Sequence, residues 1–202
     1  MTSAPSVFLV DDQAPVLKAM ARLFASDGIP ATCFGSARAF LDSGLSGQPG
    51  CLVLDLSMPD MTGLDLQREL AAQSCLLPVI FLTGHGDIDS GVQAMKSGAA
   101  DFLTKPVDAE RLLQAVRQAF ERNAQARAGH AELDELRQRL ASLTAREREV
   151  LDLVVEGLLN KQIADQLGTV EKTVKVHRAR VMGKMKVRSV TALVRLADRL
   201  RG

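Results

Sequence analysis

The sequence predicts an α/β domain built on a five-stranded, doubly wound parallel sheet, joined by a helical linker to a small all-α module of four helices that contains a helix-turn-helix. Three observations predict it. Short apolar runs alternate five times with amphipathic segments over the first 120 residues, glycines and cap residues punctuate the last stretch at helical spacing, and charge divides the chain into an acidic and a basic half. The 202 residues suffice for one ordinary domain and a small one, with bounds at 1–120, 121–142 and 143–202.

The first unit is SVFLV at 6–10, a predicted strand, followed by a helical pattern carrying Val16, Leu17, Met20, Leu23 and Phe24. The alternation recurs as ATCF at 31–34 with a helix over 36–43, and as CLVL at 51–54 with a helix over 64–72. PVIFL at 78–82 precedes a helix over 87–97, and DFL at 101–103 precedes one over 108–120. Strands alternating with helices pair in parallel, and a doubly wound sheet places its ligand site beyond the carboxyl ends of the strands. The side chains that follow the apolar runs are Asp11, Asp12, Asp55, Thr83 and Lys105.

Residues 121–142 are charged and Ala-rich, with Leu133, Leu136, Leu140 and Leu143 at spacings of three and four. That seam is too short for a coiled coil, and Gly129 interrupts it, so packing against a neighbouring domain is the better reading. Thr144 and Glu147 then fit a capping box. Gly157 closes the first helix of the module, Asn160 is placed to cap the second, Gly168 closes that one, and further helices are expected over 171–185 and 189–200.

Composition excludes several classes of function. No apolar run approaches the roughly 18 residues of a membrane span, and the first residues lack a signal-peptide pattern, so a cytoplasmic protein with no membrane partner is expected. Cys33, Cys51 and Cys75 form no CxxC pair and read as buried reduced thiols. With neither Trp nor Tyr, base stacking has almost no material. Residues 1–121 carry 8 Lys and Arg against 14 Asp and Glu, and residues 122–202 carry 17 against 10. A basic half attracts polyanions and an acidic half cations.

Asp11, Asp12 and Asp55 would meet at one sheet edge, where ionised carboxylates 4 Å apart repel by about 4 kcal/mol at an effective dielectric near 20. Hard oxygen ligands with open positions favour Mg²⁺. Lys105 adds a fixed positive charge and Thr83 a hydroxyl, which together make a constellation for phosphoryl transfer with Asp55 as nucleophile. Each residue has an ordinary structural explanation when taken singly: Asp11 and Asp12 could cap the helix that has Pro15 in its first turn, and Asp55 could simply end a strand. Taken jointly, the five side chains argue for the chemistry.

VDD at 10–12, LDLSMPDMTG at 54–63, FLTGHG at 81–86 and DFLTKP at 101–106 resemble the receiver domain of two-component response regulators. The resemblance covers about residues 1–120 and implies a flavodoxin-like fold. It further implies that Asp55 is the phosphoacceptor, that Asp11, Asp12, Asp55 and the backbone carbonyl of Ser57 hold Mg²⁺, and that Thr83 and Lys105 contact the phosphoryl group. It places Phe102 at the aromatic switch position, and it implies a cis peptide between Lys105 and Pro106. Ser57 and His85 sit where an attacking water would pass.

From Lys172 to Arg188 there are seven Lys and Arg and no Asp or Glu. Helical spacing puts Lys172, Lys175, Val176 and Ala179 on one exposed face and Val174, Val181 and Met185 on the buried one. The exposed set is the candidate for reading bases, Lys175 through guanine acceptors and Val176 through a thymine methyl. Arg178, Arg180, Lys184 and Lys186 are candidate phosphate contacts. LTAREREVL at 143–151, GLLNKQIADQLG at 157–168 and KTVKVHRARVMGKM at 172–185 resemble the LuxR-type helix-turn-helix of the NarL and FixJ group of response regulators. By that resemblance the last helix, with Val190, Leu193, Val194 and Ala197, contributes to dimer contact on DNA, with a core role as the alternative. Two positions depart from the pattern: Thr169 is placed to cap one residue early, and Gly183 lies inside the recognition helix.

The expected protein is thus a non-enzymatic transcriptional regulator. A sensor histidine kinase phosphorylates Asp55, the receiver pairs with a second copy through the face formed by 87–97, 101–103 and 108–120, and the homodimer binds a double-stranded operator. Two rivals remain. A haloacid-dehalogenase-type aspartyl-phosphate phosphatase would share Asp, Thr, Lys and Mg²⁺ but needs a DxD where this chain has Asp11, Asp12 and Gln13. A phosphorylation-gated adaptor would bind an acidic protein in place of DNA, and the salt dependence of DNA binding separates the two.

Overall fold

The structure is a computed structural model that describes residues 4–84 and 88–201. It divides into two compact units between Arg127 and Ala128. In the first, β1 (Ser6–Val10), β2 (Ala31–Phe34), β3 (Gly50–Asp55), β4 (Val79–Thr83) and β5 (Asp101–Thr104) form one parallel sheet in the order β2-β1-β3-β4-β5. This is the doubly wound order that reverses direction between β1 and β3. The strands that read as uninterrupted apolar runs lie in the middle: β3 and β4 are buried throughout and β1 nearly so, whereas the edge strands β2 and β5 are partly exposed.

Alternation along the central strands sorts their side chains into two cores. Phe8, Val10, Leu52, Leu54 and Phe81 face one side and pack with Phe40 of α2 (Ala37–Asp42), Leu66 and Leu70 of α3 (Gly63–Ala72) and Ala94 of α4 (Ile88–Lys96). Val7, Leu9, Cys51, Val53, Ile80 and Leu82 face the other, against Met20 and Phe24 of α1 (Ala14–Ser26) and Leu112, Ala115, Val116 and Ala119 of α5 (Ala109–Ala141).

Two expectations change here. Cys51 is buried, and burial pushes its thiol up, but Cys33 is exposed because β2 is an edge strand, and Cys75 is only half-buried. The helix expected to end near residue 120 runs unbroken to Ala141. No proline interrupts residues 121–141, and a lone glycine costs a helix only about 1 kcal/mol, so Gly129 is carried within it. The segment read as a separate helical linker is therefore the continuation of that same helix. Asn123 is buried in the first unit, where its amide accepts from the Gly50 N–H (3.1 Å) and donates to the Leu76 carbonyl (2.7 Å). Leu136, Leu140 and Leu143 belong to the core of the second.

That second unit adds α6 (Ala145–Val155), α7 (Asn160–Gln166), α8 (Glu171–Lys184) and α9 (Val190–Arg201), closed over Val150, Leu151, Val154, Ile163, Val174, Val181, Met185 and Leu193. Thr144 and Glu147 do form the capping box of α6. Asn160 does not cap α7: it is the first helical residue, Leu159 takes the cap position, and the Gln162 side chain accepts from the Leu159 N–H. Thr169 does not cap α8 either, because the cap position falls on Val170, whose side chain has no acceptor to offer. Gly183 stays within α8, facing open space.

Glu147 has a second role. Its carboxylate accepts from the Lys184 ammonium at 2.6 Å and from the Thr144 N–H at 2.9 Å, and these bonds, Lys184 first, hold it down at about 2. A carboxyl depressed on folding stabilises the fold above its unfolded value near 4.5 and loses that contribution as pH falls toward about 2. Melting of the helical signal is therefore expected to move to lower temperature between pH 5 and 3. Glu147→Gln should melt lower than wild type at pH 7 and respond less to acid. Parallel pH curves for the two chains would refute this.

Candidate functional site

β1 and β3 are adjacent and end together, with Val10 in register with Leu54, so Asp11, Asp12 and Asp55 emerge at one edge of the sheet. β4 ends beside β3, where Asp55 is in register with Leu82 and Thr83 follows. The Lys105 N–H donates to the Thr83 carbonyl at 2.6 Å and returns the chain after β5 to the same edge. The Lys105–Pro106 peptide is cis.

One ligand atom from each of Asp11, Asp12 and Asp55 lies within 4.8 Å of the others. Asp11 is fully buried and Asp55 is 4% exposed, whereas Asp12 faces solvent. The Lys105 ammonium donates to Asp11 Oδ2 at 2.7 Å and lies 3.2 Å from Asp55 Oδ1. Burial raises the Asp55 carboxyl above the ordinary carboxylate value, Lys105 works against that and the nearby Asp11 charge adds to it. Burial alone would lower the Lys105 ammonium, but its hydrogen bond to Asp11 and the charges of Asp11 and Asp55 hold it above its usual value. The site is short of positive charge: among the described residues, Lys105 is the cation paired with the cluster, and it reaches Asp11 and Asp55. All-oxygen donors, one of them open to water, fit a hard divalent ion that keeps part of its hydration shell.

Thr83 is buried, and its hydroxyl donates to the Gly84 carbonyl at 3.2 Å. The Ser57 backbone hydrogen-bonds the Asp55 carboxylate. Phe102 is half-buried against the core that contains Phe81 and Ala94. His85 lies outside the described residues. Two supports were not among the sequence-predicted residues. Thr62 and Asp65 form a capping box that starts α3 just after the Asp55 loop, a signal present in the T-x-x-D spacing. Gly63 lets α3 approach: a Cβ there would lie 2.5 Å from the Asp55 carbonyl oxygen, so only glycine fits.

On α8 the predicted faces are as spaced: Lys172, Lys175, Val176 and Ala179 are exposed, and Val174, Val181 and Met185 are buried. The cations differ in freedom. Lys172 and Arg180 are exposed and form no ion pair among the described residues. Lys175 pairs with Glu171 at 2.9 Å and Lys186 with Glu135 at 3.2 Å, solvent-exposed pairs that a phosphate can displace. Arg178 donates to Asn160 Oδ1 at 2.9 Å, which ties α8 to the start of α7. Lys184 fits a phosphate contact poorly, because its ammonium is committed to the buried Glu147 and to the Ser142 carbonyl at 2.9 Å. The spacing put Lys184 on the helix but could not reveal that the capping glutamate had taken it. In α9, Leu193 is buried in the core, while Val190, Val194 and Ala197 are half-buried.

Residues 7–117 match the family described as response regulator receiver domain, and residues 141–197 match bacterial regulatory proteins of the luxR family. The chain is 47% identical over 195 residues to the response regulator protein TmoT of Ectopseudomonas mendocina, covering 96% of this chain and 89% of that protein. It is 43% identical over 192 residues to the transcriptional regulatory protein FixJ of Rhizobium meliloti, covering 95% and 94%. Among solved structures, the response regulator StyR matches with a TM-score of 0.87 at 45% identity, over 98% of this chain and 100% of that one. Full-length FixJ from B. japonicum matches with a TM-score of 0.60 at 38% identity, over 99% and 98%. With both halves matched and the acidic edge assembled, the chain belongs to the NarL/FixJ group of the response regulator family, phosphorylation-dependent regulators of transcription that join a receiver to a LuxR-type DNA-binding domain.

Proposed function

We propose that Asp55 is the phosphoacceptor of this regulator and that a sensor histidine kinase is the donor. A carboxylate oxygen of Asp55 attacks phosphorus in line, an acyl phosphate forms, and the bond to the kinase imidazole nitrogen breaks. The observation that carries this reading is the convergence of Asp11, Asp12 and Asp55 within 4.8 Å of one another, with the Lys105 ammonium on Asp11 and Asp55. Asp11, Asp12, Asp55 and the Ser57 carbonyl are the residues that would hold Mg²⁺, and the ion when bound neutralises charge on the transferring oxygens. Lys105 binds a phosphoryl oxygen, and Thr83 turns its hydroxyl from the Gly84 carbonyl toward another. Phe102 follows the threonine.

Phosphorylated copies pair through the face of α4, β5 and the first turns of α5. The homodimer then engages an operator in the cytoplasm, with Lys172, Lys175, Val176 and Ala179 toward base edges and Arg178, Arg180 and Lys186 on phosphates. The chain turns over no external substrate beyond its own phosphorylation and the slow return of phosphate to water.

The test is incubation with acetyl phosphate and Mg²⁺, followed by sedimentation and by retardation of mixed genomic fragments across a salt series. The expected result is one added phosphoryl group, a shift to dimer, and DNA affinity that rises on phosphorylation and falls steeply with salt, with a log–log slope of about −4 or steeper. A labelled chain that binds DNA independently of salt, or not at all, would favour the acidic-protein adaptor.

A further inference from the structure

Helix α4 carries Gly91 in its middle, buried, where a glycine weakens a helix relative to alanine. What that glycine faces is the Phe102 ring. A Cβ at residue 91 would stand 2.7 Å from Cζ, 2.8 Å from Cε1 and 3.1 Å from Cε2 of Phe102, so the tip of the ring rests where any other side chain would begin. The end of α4 is tied to α3, where the buried Gln67 amide donates to the Ser97 carbonyl (3.2 Å). The ring is held in this orientation while the Thr83 hydroxyl is turned to the Gly84 carbonyl, with no hydrogen bond to Asp55 among the described residues.

We propose that Gly91 is a positioning residue for the switch: its bare Cα is the seat in which the Phe102 ring sits when Asp55 is unmodified. The inference rests on Thr83 and Phe102 being the coupled pair of the proposed function. The seat opposes the turn of the ring, and phosphorylation must overcome it. A methyl group at 91 overpacks the seat and evicts the ring without phosphate. The resting population then moves toward the phosphorylated arrangement, and DNA affinity of the unmodified chain rises with it.

The experiment uses the full chain with ring-¹³C phenylalanine. There are seven phenylalanines and neither Tyr nor Trp, and the Phe102 signals are identified by their loss in Phe102→Leu. In wild type the Phe102 signals are expected to shift when acetyl phosphate is added. In Gly91→Ala they should start near the phosphorylated position, and DNA affinity without phosphodonor should rise about tenfold. In the Phe102→Leu background, where the overlapping ring atoms are absent, Gly91→Ala should leave DNA affinity within about twofold, because only the gain in helix propensity remains.

Wild-type ring signals and affinity in Gly91→Ala would overturn the seat, as would an effect of equal size in the Phe102→Leu background. If Gly91→Ala does not melt cooperatively, the wild-type spectrum decides, since a Phe102 signal unmoved by phosphorylation also overturns it. Mass measurement of the phosphoryl group on each chain separates the failures. A labelled wild type with a static ring removes Phe102 from the switch, whereas a ring that moves on phosphorylation but not on Gly91→Ala removes the seat alone.

Discussion

Asp55→Asn is expected to take up no phosphoryl group from acetyl phosphate and Mg²⁺, and to keep the DNA affinity and oligomeric state of the unmodified wild type whether or not the donor is present. An amide has no lone pair of comparable nucleophilicity, so the loss in rate should exceed about 10³-fold. The fold should survive. Burial already disfavours the charge on Asp55 and Asp11 adds repulsion, so removing one negative charge relieves a crowded edge while Lys105 keeps its 2.7 Å bond to Asp11. Asparagine has nearly the same shape, which suits a side chain as buried as that of Asp55. Intact-mass measurement decides the matter. A phosphoryl group that still appears would point to Asp12, the exposed member of the cluster, and would remove Asp55 from its role.

The fold was legible where local chemistry and tertiary packing agree. Continuous apolar runs located the central strands because both faces of a parallel sheet are buried, and Thr144 with Glu147 fixed the start of α6 because a capping box is a local hydrogen-bond pattern. The acidic edge was legible for the same reason: topology forces residues at or just past the ends of β1, β3, β4 and β5 together, so their identities suffice. What was illegible depends on partners distant in sequence. Asn160 reads as a cap until Arg178 is seen to take its oxygen, and Lys184 reads as a phosphate contact until Glu147 is seen to hold it. The helicity of 121–141 was legible in its charged, Ala-rich composition, but its continuity with the helix before it was not, because nothing local shows that Asn123 pairs with Gly50 and Leu76 while Leu136 joins the core of the second unit.

Lys105→Met carries the second large effect, and it acts on stability and chemistry together. The ammonium is the one cation bridging Asp11 Oδ2 and Asp55 Oδ1 among the described residues, at 2.7 and 3.2 Å. Removing one partner from a buried ion pair typically costs about 3–5 kcal/mol, because the remaining charge is left uncompensated. Here two carboxylates are left, one fully buried and one nearly so. The receiver is therefore expected to melt well below wild type in EDTA and to recover part of that loss as Mg²⁺ is added, since a divalent ion at the same oxygens supplies the missing positive charge. Wild type, with its counter-ion built in, should respond less to Mg²⁺.

Phosphoryl uptake by Lys105→Met should fall by about 10²-fold even at saturating Mg²⁺, the usual cost of losing one donor aimed at developing charge. The phosphoryl group that does form should raise DNA affinity less, because no ammonium remains to hold it in place at the edge. Lys105→Arg separates charge from shape: it keeps the cation but presents a planar fork in place of a compact ammonium, and should retain stability in EDTA better than it retains the response to phosphorylation. A Lys105→Met chain with wild-type melting in EDTA would show that the carboxylates of the edge do not depend on this ammonium, and the electrostatic account of the site would fail with it.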